Sequence, residues 1–221
     1  MKKSLIIAGP SAVGKTTVAK ALIERHPEFE LVRSMTSRPP RGDEHDAEYI
    51  YVTDAEFEAL LSSGGILEHT EYASHSYGTP LSEIERIDAA GKTPLLILDL
   101  AGVKSLVTRE ELSACAVYIY EDIRVIDQRL YDRYLGEAPT VDGLVKYTRR
   151  KEQNNADYIA APDFQEQFYA FAQNGGSPEQ TADEIFSVFS DFSAGAPRDE
   201  GKISLAVDAM LSSLKSAYMQ P

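Results

Sequence analysis

Cysteine is nearly absent from this sequence of 221 residues, in which Cys115 is the single example. A disulfide within the chain is therefore excluded, and such low cysteine use is typical of a reducing compartment. Long apolar runs are also lacking. Two lysines precede the run SLIIAG, as they would in an export signal, but the run stops at Gly9 and Pro10. It is too short for a signal or a membrane span, so we expect a soluble, cytoplasmic protein with no membrane partner.

Positive charge is in short supply as well. The 22 lysines and arginines are outnumbered by 35 aspartates and glutamates, which gives a net charge of −13. This balance argues against a nucleic-acid backbone as a partner. An anionic small molecule is not excluded, because a local cluster of arginines can oppose the overall field.

The sequence does contain three short apolar runs, each followed by a helical pattern. They are SLIIAG (4–9), TPLLILDL (93–100) and ACAVYIY (114–120). Hydrophobic residues make up 43% of the chain, which is enough for a sizeable core. Such alternation of strands and helices indicates a single α/β unit with a parallel sheet and helices on both of its faces.

Residues 34–80 interrupt this alternation. A polar loop, SMTSRPPRGDEHDAE, precedes a short strand, YIYV, and then a small helix. Thr53 and Glu56 have the spacing of a capping box at the start of that helix, and Gly64 follows its end. Two further strand pieces, ILEHTEY and SHSYGTP, come next. We therefore predict an inserted subdomain of mixed, chiefly antiparallel character.

The C-terminal part of the chain predicts two more helices. Ser177, Pro178 and Gln180 begin a capped helix, and SAGAPRDEG follows it as a linker. One face of a terminal amphipathic helix carries Ile203, Val207, Met210, Leu214 and Tyr218. The predicted organisation is a core (1–33 and 80–193), an insert (34–79) and a linker with a C-terminal helix (194–221).

The segment from Gly9 to Thr16 fits the pattern G-x-x-x-x-G-K-[ST] between a predicted strand and a predicted helix. Its glycines let backbone N–H groups point inward at phosphate oxygens, and the helix N-terminus adds its positive end. Lys15 can bridge β- and γ-phosphates, and the Thr16 hydroxyl can bind Mg²⁺. A glycine-rich turn that binds nothing is the alternative, which the flanking pattern disfavours. The predicted triphosphate site comprises Gly9, Pro10, Ser11, Ala12, Val13, Gly14, Lys15, Thr16 and Thr17.

The insert contains residues suited to a phosphorylated acceptor. Arg38 and Arg41 offer paired donors to a phosphate dianion, and tyrosine hydroxyls can supplement them. A carboxylate such as Glu68 can accept hydrogen bonds from the ring N–H and the exocyclic amine of guanine, a pair that adenine lacks. Serine or threonine hydroxyls suit the guanine O6. The alternative is that these residues are ordinary surface charges and core tyrosines.

Several of these stretches together resemble the guanylate kinase family. The similar stretches are GPSAVGKTT, SMTSRPPRGDEHDAEYIYV, GGILEHTEYASHSYGTP and ILDLAGVKSL, and a looser similarity continues to about residue 160. The resemblance implies a three-layer P-loop fold with an inserted monophosphate-binding subdomain and a lid at about 131–150. It also implies phosphoryl transfer from MgATP to GMP or dGMP.

The resemblance further implies roles for individual residues. Those that stand where the family binds guanine are Ser34, Glu68, Thr79 and Asp99. Those that stand where it binds the monophosphate are Arg38, Arg41, Tyr49 and Tyr77. Arg133 and Arg149 fall where lid arginines close over the transferring group, so the implied catalytic set is Lys15, Arg38, Arg133 and Arg149.

The sequence also departs from the family's pattern. Ile97 occupies the position of an acidic residue that would be an outer-shell metal partner, which leaves Thr16, with Asp99, to organise Mg²⁺. YIAAPDF (158–164) matches the family's closing strand and adenine-side loop only in part, and the chain after 165 has no clear counterpart. Two alternatives therefore stay open. One is a P-loop kinase for another nucleoside monophosphate or a ribosyl phosphate, and the other is a catalytically inactive guanylate-kinase-like interaction module.

Overall fold

The computed structural model describes residues 2–40, 49–72, 74–109 and 112–218. Its strands are β1 (Lys2–Ala8), β2 (Phe29–Leu31), β3 (Ser34–Thr36), β4 (Tyr49–Tyr51), β5 (Ile66–Tyr72), β6 (His75–Pro80), β7 (Thr93–Ile97), β8 (Leu112–Tyr120) and β9 (Ala170–Gln173). Its helices are α1 (Lys15–Arg25), α2 (Asp54–Ser62), α3 (Leu81–Ala89), α4 (Leu100–Val107), α5 (Ile123–Tyr134), α6 (Val141–Ile159), α7 (Ala161–Phe164), α8 (Pro178–Ser193) and α9 (Glu200–Tyr218).

A parallel sheet with the strand order β2-β7-β1-β8-β9 lies at the centre of the molecule. Leu5 of β1 is paired with Leu95 of β7 on one side and with Cys115 of β8 on the other. The side chains from Leu5 to Ala8 are fully buried, as expected for a parallel strand whose two faces are both covered by helices. The predicted α/β fold with a parallel sheet flanked by helices is therefore confirmed.

The strand order reverses beside β1. The chain fills the β7 side of the sheet first and the β8 side afterwards, so β1 lies between the two halves. Open α/β sheets bind ligands outside the carboxyl ends of their strands at such a switch point. The segment that follows β1 is the predicted phosphate loop, and the topology thus places it where a ligand site is expected.

A second, smaller sheet has the order β4-β3-β6-β5. The β3–β4 pair is parallel and the β3–β6 and β5–β6 pairs are antiparallel, so the predicted mixed character is confirmed. This sheet has its own hydrophobic cluster, formed by Met35, Phe57 and Ile66. The capping box of Thr53 and Glu56 is present at the start of α2. The boundaries predicted for the insert itself stay predictions.

Two strands of the central sheet, the short β2 and the closing β9, were not predicted from the sequence. The stretch 158–164, which matches the family's closing strand only in part, is helical, because it holds the end of α6 and all of α7. Asn154 and Tyr158 of α6 are both buried and lie four residues apart, which is the spacing of a helix. The strand that closes the sheet is β9, which pairs in parallel with β8.

Both helices predicted near the C-terminus are present. Ser177 and Gln180 form the capping box of α8. The next helix, α9, packs on α5, α6 and β9 through a buried face that consists of Ile203, Ala206, Val207 and Met210. Within the described ranges, no helix combines the length and apolar character needed to cross a membrane.

Candidate active site

The loop between β1 and α1 has an unusual backbone. Gly9, Ala12 and Gly14 have φ values of 150°, 65° and 106°. A Cβ atom on Gly9 would lie 2.3 Å from the Ile119 carbonyl oxygen, and one on Gly14 would lie 2.6 Å from Asn174 Nδ2. Both glycines of the motif are thus required by close contacts as well as by their dihedral angles. Gly14 is also the N-cap of α1, so the loop leads directly into the positive end of that helix.

Lys15 is folded back onto this loop. Its Nζ donates to the carbonyl oxygens of Gly9, at 2.7 Å, and Pro10, at 2.9 Å. Burial of the ammonium lowers the pKa of Lys15 to about 8. Among the nearby charges that act on it, Asp157 and Asp99 raise this pKa, whereas Arg150 and Arg133 lower it. Two acidic and two basic side chains therefore surround the predicted catalytic lysine.

Three side chains that were not predicted from the sequence fasten the loop. Asn154 of α6 bonds both backbone groups of Ser11. Asn174, just after β9, donates to the Val13 carbonyl oxygen at 2.8 Å, and Arg129 donates to the same oxygen at 3.1 Å. They lie more than a hundred residues from the loop in sequence, and no local pattern marks them.

A cavity of about 220 Å³ lies between the small sheet and the start of α1. Its lining includes Ser34, Tyr49 and Thr79 from the small sheet, Thr16 from the start of α1, and Ile97. Three of the residues predicted to bind the acceptor are therefore brought against the residue predicted to bind Mg²⁺. The cavity is lined by both hydroxyl and aliphatic groups, as expected of a site for a base and its phosphate.

Glu68 lies beside this cavity and is held by Thr79. The Thr79 hydroxyl donates to Glu68 Oε1 at 2.6 Å. Burial raises the pKa of Glu68; the hydrogen bond from Thr79 opposes that shift and the charge of Asp99 adds to it. Asp99 itself caps α4 by accepting from the Gly102 N–H at 2.8 Å. A Cβ atom on Gly102 would lie 3.5 Å from both carboxylates, so Glu68, Thr79 and Asp99 form one group.

Arg38 is only 8% exposed and lies among tyrosines. Its guanidinium carbon is 5.4 Å from the centre of the Tyr49 ring and 5.6 Å from that of Tyr51, and Nη2 donates to the Tyr51 hydroxyl at 3.2 Å. The Tyr49 and Tyr77 rings meet edge to face at 6.1 Å. The structure thus groups Arg38, Tyr49 and Tyr77, and it adds Tyr51, which was not predicted. Arg41 lies outside the described residues.

A second cavity, of about 280 Å³, opens on the other side of the phosphate loop. Its lining includes Gly14, Thr17, Arg129, Arg133, Asn174 and Pro178. Arg133 was predicted as a lid arginine and lies at this cavity, whereas Arg149 and its neighbour Arg150 are both exposed on α6. The α6 cation whose charge acts on Lys15 is instead Arg150, the next residue. The catalytic role of Arg149 stays a prediction.

Thr16 lies in the first turn of α1, with an exposed side chain, beside the phosphate loop. Among the residues that the structure describes, no three or more histidine, cysteine, aspartate or glutamate side chains come together as a metal site. The Thr16 hydroxyl is an oxygen donor, the kind of ligand that Mg²⁺ takes together with waters and substrate phosphates.

A phosphate loop at the switch point of a parallel sheet, with a mixed sheet inserted beside it, defines the class of P-loop α/β proteins. The family model described as guanylate kinase matches residues 1–167, and the chain belongs to this family. The resemblance inferred from the sequence is thereby confirmed. The matched range ends before β9, α8 and α9.

Individual proteins agree with this assignment. A guanylate kinase from Thermosynechococcus vestitus is 34% identical over 161 residues, which are 72% of this chain and 81% of that protein. One from Thermobifida fusca is 44% identical over 106 residues, so this match spans about half of each protein, 48% and 54% respectively. The crystal structure of guanylate kinase from Anaplasma phagocytophilum has a TM-score of 0.57 at 22% identity, covering 92% of this chain and 93% of that one. The likeness to that structure supports the fold.

Proposed function

We propose that this protein transfers the γ-phosphoryl group of ATP to GMP or dGMP, giving ADP and the nucleoside diphosphate. The observation that carries this proposal is the cavity in which Ser34, Tyr49 and Thr79 face Thr16 of the phosphate loop, with the Glu68–Thr79 pair beside it. An acceptor in this cavity has its phosphate next to the donor's phosphates. Membership of the guanylate kinase family supports the same reaction.

The chemistry of the cavity favours guanine as the acceptor base. Glu68 accepts from the guanine ring N–H and 2-amino group, Thr79 holds the carboxylate in position, and Ser34 donates to O6. Asp99 adds a second acceptor close to Glu68. Arg38 and Arg41 bind the monophosphate together with Tyr49 and Tyr77. Support for this arrangement comes from the grouping of Arg38 with Tyr49, Tyr51 and Tyr77.

ATP occupies the opposite side of the phosphate loop. Its phosphates accept from the loop N–H groups, and Lys15 leaves the Gly9 and Pro10 carbonyls to contact the β- and γ-phosphates. Its adenosine fits the second cavity, between the arginines of α5 and the turn that follows β9. Thr16 and, with it, Asp99 would hold Mg²⁺, which would neutralise negative charge on the phosphates of ATP.

Phosphoryl transfer between these sites requires little covalent chemistry from the protein. The acceptor phosphate is already an anion, so the reaction needs no general base, and catalysis rests on positioning and charge neutralisation. Lys15, Arg38, Arg133 and an arginine of α6 supply the positive charge. The lid at about 131–150 and the insert at 34–79 close over both nucleotides and exclude water. We assign this reaction to the cytoplasm, in keeping with the near absence of cysteine.

A panel of acceptors tests the proposal. ADP release is measured with MgATP and GMP, dGMP, IMP, AMP, CMP, UMP or a ribose bisphosphate. We expect GMP and dGMP to be used best and IMP less well, because IMP lacks the 2-amino group. AMP presents a ring acceptor to the Glu68 carboxylate, so we expect kcat/KM to fall by about 10⁴-fold.

Glu68→Gln is the variant that tests the base assignment. An amide can accept only one of the two guanine hydrogen bonds well, so kcat/KM for GMP should fall and the preference over AMP should narrow. Glu71→Gln, at an exposed position of the same strand, is the matched control and should behave as wild type. Equal use of AMP and GMP by the wild type, or an unchanged preference in Glu68→Gln, would show that guanine is not the base. An inactive wild type would favour an interaction module.

A further inference from the structure

Asn154 contacts the phosphate loop from the helix that follows the lid. It lies on α6 and is only 2% exposed. Its Oδ1 accepts from the Ser11 N–H at 2.8 Å, and its Nδ2 donates to the Ser11 carbonyl oxygen at 3.1 Å. One side-chain amide thus satisfies both backbone groups of one loop residue, as a neighbouring strand would.

Ser11 is followed by the one residue of the loop whose conformation is costly. Ala12 has a φ of 65°, in the left-handed region that a residue with a Cβ atom rarely adopts. The residue after it is fastened too, because the Val13 carbonyl oxygen accepts from Asn174 and Arg129. Ala12 is therefore held between two fixed neighbours, and strained residues persist only where the surroundings determine them in this way.

The position of Asn154 on α6 also relates it to Lys15. Arg150 precedes it by four residues and Asp157 follows it by three, so all three lie on one face of α6. The charges of Arg150 and Asp157 both act on Lys15. Asn154 thus fixes the distance between this face of α6 and the loop that carries Lys15.

We propose that Asn154 is a positioning residue that holds the phosphate loop ready for nucleotide by fixing Ser11 and, through it, the left-handed conformation of Ala12. This inference rests on the proposed function, because it takes the phosphates of ATP as the ligand of the loop. A preorganised loop binds phosphates without first losing conformational freedom. A residue that only filled space in the core would affect stability and leave nucleotide affinity unchanged.

The test is a binding experiment without an acceptor. ADP affinity in the presence of MgCl₂ is measured by calorimetry for wild type, Asn154→Ala and Asn155→Ala. We expect Asn154→Ala to weaken ADP binding about tenfold, the factor that corresponds to roughly one net hydrogen bond. The KM for GMP should change by less than about twofold. Asn155→Ala is the matched control, since the side chain of Asn155 donates to the Tyr218 hydroxyl of α9, away from the loop.

Two further measurements separate positioning from bulk stability. Hydrogen exchange at the Ser11 amide should accelerate in Asn154→Ala while the amides of β1 stay protected. In an Ala12→Gly background the effect of Asn154→Ala on ADP affinity should shrink to less than about threefold, because glycine adopts a positive φ without the side-chain cost. If Asn154→Ala does not fold, Asn154→Ser, which cannot reach both groups of Ser11, carries the same expectations.

The proposal is overturned if Asn154→Ala binds ADP as wild type does, if Asn155→Ala loses as much affinity, or if the loss is equal in the wild-type and Ala12→Gly backgrounds. Failure of the proposed function is a separate result. A wild-type protein that binds ADP but does not phosphorylate GMP would overturn that function, and the affinities of the Asn154 variants would still decide the role of this residue.

Discussion

Lys15 has two environments in the proposed reaction, and its pKa distinguishes them. In the ligand-free protein the ammonium donates to two loop carbonyls, and burial lowers its pKa to about 8. A bound polyphosphate places negative charge beside it, which favours the protonated form and raises the pKa. Nucleotide binding above pH 8 must therefore take up a proton at Lys15.

This coupling predicts a pH-dependent affinity. Below the ligand-free pKa the lysine is already charged, and ADP affinity should be flat. Above it, each pH unit should weaken ADP binding by up to about tenfold until the pKa of the complex is reached. Calorimetry from about pH 6.5 to about pH 9.5 measures the slope and, in two buffers of different ionisation enthalpy, the proton uptake.

Lys15→Met should bind ADP more weakly and lose this slope. Lys20→Met, an exposed position on the same helix, is the control and should keep the wild-type profile. A wild-type affinity that does not change between about pH 7 and about pH 9.5 would show that Lys15 stays fully charged in the ligand-free protein.

How far single residues could be predicted depended on the distance in sequence over which they act. The loop from Gly9 to Thr16 was found because its glycines and lysine are adjacent, and the capping box of Thr53 and Glu56 because its spacing is local. Asn154 could not be found, since its partner Ser11 is 143 residues away and a lone asparagine in a helix has no distinguishing pattern. Arg150 could not be chosen over Arg149 from the sequence either, because the two neighbours differ only in their direction around the axis of α6.

At the scale of elements, α6 shows why the direction of a residue around the helix axis matters. The face of the helix that carries Arg150, Asn154 and Asp157 contacts the phosphate loop through Asn154, and the charges of Arg150 and Asp157 act on Lys15. The adjoining face binds the neighbouring helices: Tyr147 and Lys151 bond Asp127 of α5, and Asn155 bonds Tyr218 of α9. Successive residues of a helix are about 100° apart, so Arg149 and Arg150 cannot both be directed at the loop.

We therefore expect Arg150→Ala to be more damaging than Arg149→Ala. An arginine that neutralises charge on the transferring group acts mainly in the transition state, so Arg150→Ala should lower kcat by about 10²-fold with a smaller effect on either KM. Arg149→Ala should change kcat by less than about threefold, because Arg149 lies off the face of α6 that carries Asn154. Steady-state kinetics with both substrates measures the difference. The reverse order of effects would restore Arg149 as the lid arginine.

Elements were predictable where their patterns were long. Continuous apolar runs became β1, β7 and β8, and an apolar pattern at helical spacing became α9; all four elements are present. The strands β2 and β9 contain three and four residues, too few for a pattern to distinguish them from loops. YIAAPDF matched the family's closing strand only in part. An apolar stretch of a few residues fits a strand as well as the end of a helix, and here α6 extends into it.

At the scale of the whole molecule, the hydrophobic interior is divided unequally. The main cluster extends through the central sheet and the helices around it, whereas the small sheet has a separate cluster of Met35, Phe57 and Ile66. Stability in proteins is not uniform, and a unit with few buried apolar contacts opens at a lower free energy than the rest. The proposed acceptor site is built largely on this smaller unit, so we expect it to move more readily than the main core.

Hydrogen exchange monitored by mass spectrometry should resolve the two units. Amides of β3 and β6 should exchange faster than those of β1 and β8 in the ligand-free protein. GMP should slow exchange in the small sheet, and ADP should slow it in the phosphate loop, because each ligand stabilises the unit that it contacts.

Phe57→Ala removes a large, fully buried side chain from the small cluster and costs about 3 kcal/mol. Exchange in β3 and β6 should then accelerate by a factor of about a hundred, or to the unprotected rate, while β1 and β8 keep their protection. Equal acceleration of exchange in β1, β3, β6 and β8 would show instead that the molecule unfolds as one cooperative unit. The main core would then hold the proposed acceptor site in place.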